Sequence, residues 1–360
     1  MSGKTAAVAK IGFQLPAVEV KEATGYCAAE MAIEAFNAKK SVPFTVELVP
    51  VIDYATPDKA RAAAQAFADD PASVGVLGPI NSDMAVATQD IYGAAGLAQV
   101  SSEASSPLLT SRGFTHFFRT VANDELQGRQ LARAAVKYFK ATRIAVLSDD
   151  TAWGRPIAQI FAAEAKKLGH EPVLEFFFTD KEKKLNFDDL VEATLAAKPD
   201  LVYFAVYWNK AHIITHRLRE AGLTAQFLGS DALKPYAFLE VPSLDKKPPH
   251  HTLAGIDMRL KPSARSFFEA FALKFPMMLV APQYAAEAYD AAGVLLSGIR
   301  EAGAVDRHAI LSSIKNTKSF KGALGEISFD DKGDLVDAEI GLYYCKDGLR
   351  HYIAPVSTLV

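Results

Sequence analysis

The chain has 360 residues, half of them hydrophobic, enough to bury a substantial core and long enough to favour two domains over one. A formal net charge of -3 and a pI near 6.3 leave no basic field for nucleic acid or an anionic membrane, and no Lys/Arg run supplies one. No stretch approaches the roughly 20 apolar residues that cross a bilayer, and the opening MSGKTAAVAK lacks the apolar core of a secretory signal, which leaves a cytosolic protein or a mature exported domain with an added Met.

Apolar runs and amphipathic stretches alternate from the start. The pattern predicts a strand at Val8 to Gln14, a helix at Gly25 to Asn37, a strand at Thr45 to Asp53, a helix at Pro57 to Phe67 capped by Thr56, and a strand at Val74 to Leu77. After Arg119 the alternation begins again: helix Glu125 to Tyr138, strand Ile144 to Leu147, helix Trp153 to Leu168, strand Pro172 to Phe177, helix Phe187 to Ala197, strand Leu201 to Val206, helix Lys210 to Ala221 and strand Gln226 to Leu228. Two such series imply two parallel sheets with helices on both faces. The Pro-rich, charged segment 241–252 reads as a crossing between domains. Helical patterns follow at Ser263 to Phe275, Pro282 to Ala302 and Arg307 to Lys315. Short strands come last, at Gly325 to Phe329, Ile340 to Cys345 and His351 to Ile353, with a turn at Asp330 to Asp334. Cys27 and Cys345 are the only cysteines, so a disulfide framework is excluded; two buried free thiols are expected, with a single bridge as the other arrangement.

The most informative stretch is Gly78 to Gly113, where an apolar run twice ends in a glycine or serine turn at which a helix begins. In the first, Val74 to Leu77 stops at Gly78, Ser82 stands as N-cap, and Met84, Ala87 and Ile91 continue at helical spacing. In the second, Leu97 to Val100 gives way to Ser101, Ser102, Glu103, Ala104, Ser105, Ser106 and Pro107. Amides at a helix start form an anion site without metal or cofactor, and successive turns at the carboxyl ends of neighbouring parallel strands lie where open α/β folds bind ligands. A small anionic or zwitterionic ligand is expected, with no cofactor. No G-x-S-x-G, H-E-x-x-H or G-x-G-x-x-G motif occurs, and Gly3, Lys4 and Thr5 lack the upstream loop of a P-loop. His212 and His216 have helical metal spacing, but Ile213, Arg219 and Glu220 around them describe a solvated helix face rather than a zinc site, and no metal is expected.

GPINS followed by DIYGAAG, SSPLLTSRGF leading to FFRTVANDELQG, the DDTAWG turn, PDLVYFAVY with FLGSDAL, and the ending FKGALGEISFDDKGD, in that order and spacing, resemble the periplasmic solute-binding proteins of ABC importers, of the leucine/isoleucine/valine-binding type. The resemblance spans nearly the whole chain. It implies an α/β fold of two doubly wound parallel-sheet lobes joined by three crossing strands, the type I periplasmic binding protein or Venus flytrap architecture. Lobe one would hold residues 1–121 and 254–328, lobe two residues 122–253 and 329–360, with crossings near Thr120 to Asn123, Leu253 to Ile256 and Phe329 to Gly333. Closure by hinge rotation over the ligand would present the form that the transport partner recognises.

By the same resemblance, Ser82 matches the serine that receives the ligand carboxylate, and Ser105 a second hydroxyl beside it; a plain helix cap, contributing about 1 kcal/mol, is the other reading of each. Ala104 and Glu103 lie in the same turn. Glu103 departs from the small residue usual there, which suggests either a cationic or polar ligand end or a Glu turned to solvent. Asp231 matches the acidic partner of the α-ammonium, or else caps the segment from Leu233. Tyr207 matches a tyrosine that touches the ligand, or else is an edge tyrosine filling the gap between lobes, and Trp153 matches an aromatic whose ring can form a wall for the ligand, or else is a core aromatic stapling the helix start. Tyr284 and Lys21 lie where the family lines the cleft mouth. The resemblance implies a monomeric, non-enzymatic receptor that delivers a small amino acid or related zwitterion to a membrane permease, periplasmic in its mature form. A regulatory sensor of the same fold for an amide, urea or amino acid, cytoplasmic and signalling through a protein partner, is the alternative. Because Glu103 and Trp153 both leave the aliphatic-selective pattern, branched-chain specificity does not follow.

Overall fold

The computed structural model describes residues 7–16, 23–179, 187–233, 247–276, 278 and 284–360. The chain divides into two compact units, Met1–Val121 with Asp257–Ala338, and Ala122–Ile256 with Glu339–Val360.

In the first unit, strands β1 (Val8–Leu15), β2 (Thr45–Ile52), β3 (Ser73–Leu77), β4 (Ala98–Ser101) and β5 (Phe117–Arg119) form a parallel sheet in the order β2-β1-β3-β4-β5. Helices α1 (Thr24–Ala38), α2 (Pro57–Asp69), α3 (Ser82–Ala94) and the single turn α4 (Leu108–Ser111) connect them. β3 is buried along its whole length, as a strand covered on both faces must be, which is why Val74 to Leu77 is an unbroken apolar run rather than an alternating one. Ile11, Phe13, Val74, Leu77 and Val100 pack with Ala29 and Ile33 of α1 on one face, and Val76 with Ala64, Phe67 and Tyr92 on the other.

In the second unit, β6 (Ile144–Asp149), β7 (Leu174–Phe178), β8 (Leu201–Ala205), β9 (Gln226–Gly229) and β10 (His250–Leu253) run parallel in the order β7-β6-β8-β9-β10. This repeats the first unit's winding order. Helices α5 (Asp124–Arg133), α6 (Gly154–Lys167), α7 (Asp188–Ala197) and α8 (Trp208–Glu220) link its strands, and Phe161 of α6 stacks on Tyr203 of β8 at 4.0 Å. The rest of the first unit follows in the chain: α9 (Arg265–Lys274), α10 (Ala285–Ala302), α11 (Arg307–Lys315) and the hairpin β11 (Phe320–Gly322) and β12 (Gly325–Ile327). α10 lays Ala291, Leu295 and Ile299 into the first core. Strands β13 (Gly341–Lys346) and β14 (Leu349–Pro355) then return antiparallel to the edge of the second sheet beside β10.

The structure differs from the sequence expectations in several places, among them residues 254–256, expected in lobe one, which belong to the second unit. Residues 247–252 are not all crossing: His250–Leu253 is a strand paired with both β9 and β13, and burial pushes its His251 imidazole down to about 3. The helix expected to run to Tyr138 is α-helical only to Arg133 and continues as a π-helical turn, Ala134–Tyr138, with Phe139 N–H donating to the Ala134 carbonyl. Its wider turn seats Phe139 edge-on against His250. Residues 329–338, expected in lobe two, pack in the first unit, because Phe329 bridges Leu335 and Gly333 docks on β5. Lastly, β5 and β10 are too short to show a strand period in the sequence. Both cysteines are buried thiols outside any disulfide. Among the described residues no helix is long and apolar enough to cross a membrane.

Candidate functional site

The two serine turns follow β3 and β4, which are hydrogen-bonded neighbours in the parallel sheet, and so emerge side by side at its carboxyl edge. Ser82 is the first residue of α3 rather than its cap. Asn81 holds the cap position without a side-chain cap bond. The Ser82 hydroxyl instead reaches across to the second turn, where its Oγ accepts from Ser106 N–H at 3.2 Å. Accepting there leaves its proton as a donor.

The second turn is more tightly organised than its composition suggests. Ser101 Oγ accepts from the amides of Ala104 at 2.9 Å and Glu103 at 3.4 Å, and donates to the Pro79 carbonyl at 3.1 Å, tying this turn to the first. Amides expected to face a ligand are therefore partly consumed inside the turn, and what the turn presents is side chains. Ser105 is buried beside the fully buried Ala104. Glu103 is half-buried, and a Cβ on Gly25 in the first turn of α1 would meet its Oε1 at 4.0 Å, so the carboxylate lies against that helix start rather than out in solvent.

Beneath this turn lies a residue that the sequence reading passed over. Arg119, at the end of β5, is wholly buried. Its Nη1 donates to the carbonyls of Ala104 at 3.2 Å and Ser106 at 3.0 Å, its Nη2 to Thr110 Oγ1 at 2.8 Å, and its Nε to Asp334 Oδ1 at 2.6 Å. Thr110 Oγ1 in turn donates to Asp334 Oδ2 at 3.2 Å. Asp334 arrives on the turn 330–334. Gly333 there has φ +91° and approaches β5 so closely that a Cβ would stand 2.0 Å from the Phe117 carbonyl oxygen. The only sequence signal was an arginine ending an otherwise apolar strand.

Tyr284 is buried just before α10 in a left-handed conformation, φ +61°. Lys21 lies outside the described residues. Glu287, in the first turn of α10, is buried, and burial, reinforced by Asp290 and Glu103, holds its carboxyl up near 7. The unfolded chain releases this proton near its ordinary value of 4.5. The folded state thus holds a proton that the unfolded state has lost between those two values, and stability falls as pH rises across that window. Glu287→Gln is expected to gain about 2–3 kcal/mol over the parent chain at pH 8 and little at pH 5, measured by urea unfolding.

In the second unit the candidates follow the carboxyl ends of β6, β8 and β9, again neighbouring strands. Trp153 is buried just before α6, and its ring lies tilted on that of Tyr207 with centroids 5.0 Å apart. Both are set by Asp149, at the end of β6: Oδ2 accepts from Tyr207 N–H at 3.2 Å and pairs with Lys210 Nζ at 3.2 Å, while Oδ1 accepts from Thr151 Oγ1, which itself receives Gly154 N–H. A Cβ on Gly154 would stand 2.3 Å from Asp149 Oδ1, so only glycine lets α6 start this close to the carboxylate. Asp231 is buried after β9. Gln127 of α5 donates from Nε2 to its Oδ1 at 3.0 Å, and Thr252 Oγ1 donates to Gln127 Oε1 at 2.6 Å, which fixes the amide's orientation. The structure thus brings Ser82, Ala104 and Ser105 together in one unit and Trp153 and Tyr207 together in the other. Sequence reasoning missed Arg119, Asp334, Gln127, Asp149 and Lys210.

His216, from the helical histidine pair, has Nδ1 3.2 Å from Glu220, and no group of three His, Cys, Asp or Glu among the described residues is placed to hold a metal ion.

The chain is similar to the Leu/Ile/Val-binding protein BraC3 of Rhizobium johnstonii, 29% identical over 274 residues, covering 76% of this chain and 73% of that one. An amino acid binding protein of Pseudomonas aeruginosa is 26% identical over 91% of this chain and 86% of its own. Among solved structures, a periplasmic binding protein type 1 from Bordetella pertussis shares the fold with a TM-score of 0.84 at 21% identity, covering 96% of this chain and 100% of that one. The leucine binding protein LivK of Thermotoga maritima gives 0.83 at 23%, covering 96% and 98%. The periplasmic binding protein family's own pattern matches residues 22–348, and with two doubly wound units and serine turns on adjacent strands beneath that match, the chain belongs to the periplasmic binding protein family.

Proposed function

We propose that the chain is a solute-binding receptor that captures a small amino acid or related zwitterion and delivers it to the membrane permease of an ABC transporter, in the periplasm and without catalysing a reaction. Ser82 and Ser105 receive the carboxylate and Asp231 pairs with the ammonium, while Trp153, Tyr207, Tyr284, Lys21, Ala104 and Glu103 shape the space for the rest of the molecule. The observation that carries this reading is the stitching of two serine turns on adjacent parallel strands, Ser82 to Ser106, at the start of a helix whose cap residue Asn81 makes no side-chain cap bond. The relatives named for binding amino acids support the ligand class. The test is a calorimetric screen of the standard L-amino acids, each beside its decarboxylated amine and its deaminated acid. At least one zwitterion is expected to bind, and both of its truncated analogues to bind at least about 100-fold more weakly, because the deaminated acid leaves buried Asp231 without a counter-charge and the decarboxylated amine leaves the buried Ser82 and Ser105 hydroxyls without their acceptor. Equal affinity for an amino acid and either analogue overturns the reading.

A further inference from the structure

We propose that Arg119 is a positioning residue for ligand capture, holding Ser105 in its receiving geometry through the Ala104 and Ser106 carbonyls that flank it. This rests on the reading of Ser105 as a carboxylate donor. One guanidinium spans both carbonyls and Thr110 while its Nε is anchored on Asp334, 215 residues away in sequence. Its planar fork of five donors is suited to this, and a lysine ammonium, a single point charge, is not. The charge is matched: Arg119 has no exposed side-chain surface, Asp334 little, and a buried arginine is retained only with a partner and a full set of acceptors. The same guanidinium therefore locks the turn to the segment 330–334, whose Gly333 carbonyl accepts from Arg119 N–H at 3.1 Å. A turn held rigid before the ligand arrives has less freedom to lose on binding, which is how such a clamp raises affinity without touching the ligand.

The experiment uses the full chain, with Arg119→Lys, Ser105→Ala and the double variant, and reads two quantities: amide hydrogen exchange across residues 103–110 without ligand, and calorimetric affinity for whichever of the twenty standard L-amino acids binds the parent chain most tightly. Arg119→Lys is expected to speed exchange in that segment selectively and to weaken binding at least tenfold. Ser105→Ala is expected to weaken binding about tenfold in the parent and less than twofold in the Arg119→Lys background, a non-additivity that mere loss of stability does not produce. Should Arg119→Lys fail to fold, Thr110→Val, which removes one of the guanidinium's acceptors, carries the same expectation at smaller size. Unchanged exchange, unchanged affinity or simple additivity overturns the positioning role while amino-acid binding by the parent still stands. A parent chain that binds none of the twenty fails the functional reading first and this inference with it.

Discussion

Asp231→Asn is expected to weaken amino-acid binding by at least about 100-fold, equivalent to about 3 kcal/mol, while leaving the protein folded. The substitution keeps the shape and removes the charge. Asp231 is buried and held by Gln127, whose own orientation is set by Thr252, so the asparagine has a hydrogen-bonding partner in place and the second unit's core is undisturbed. A bound ammonium, by contrast, loses its counter-charge at a buried position, and charge-assisted bonds are about twice as strong as neutral ones. Calorimetry against the tightest-binding amino acid, beside thermal unfolding of the free protein, checks both halves. Equal affinity of parent and variant removes the ammonium role from Asp231.

Lys210→Met is expected to destabilise the protein by about 3–5 kcal/mol, among the largest single-site losses outside the apolar core. Its partner Asp149 has a side chain only 1% exposed and supports the Tyr207 amide and the Thr151–Gly154 turn. Desolvation already raises the Asp149 carboxyl above its ordinary range, and Lys210 is the largest of the influences opposing that rise. Without the ammonium, the carboxylate is left buried and uncompensated. The double variant Lys210→Met with Asp149→Leu is expected to recover much of the loss in urea unfolding, because two apolar groups need no counter-charge, yet to bind ligand poorly since Tyr207 and Trp153 lose their common support. A small loss in the single variant would mean that the pair is solvated in solution.

The serine turns were legible because their signal is local. An apolar run closing on Gly78, then helical spacing from Met84, occupies a few consecutive residues, and the repetition around Ser101 to Pro107 places a second turn beside it. The asparagine cap of α3 was misread by one residue, since Asn81 and Ser82 are both good caps and only backbone geometry separates them. Glu103 was legible as an anomaly, a carboxylate where a small residue was expected, but its placement against the first turn of α1 was not, because that helix start lies about eighty residues earlier in the chain.

Arg119 shows the limit most clearly. Its sequence context is an apolar strand ending in a charge, which suits an exposed strand end as well as a buried clamp, and its anchor Asp334 sits in a turn that shows only turn chemistry. Lys210 and Asp149 behave alike. Periodicity, caps and turn residues act over a few positions and are written directly in the chain; they settle the alternation of strands and helices, the two parallel sheets and where the loops fall. Which buried charges meet, and so which turns are held rigid, depends on residues dozens to hundreds of positions apart. The desolvation of a lone charge is affordable only once folding has delivered its partner.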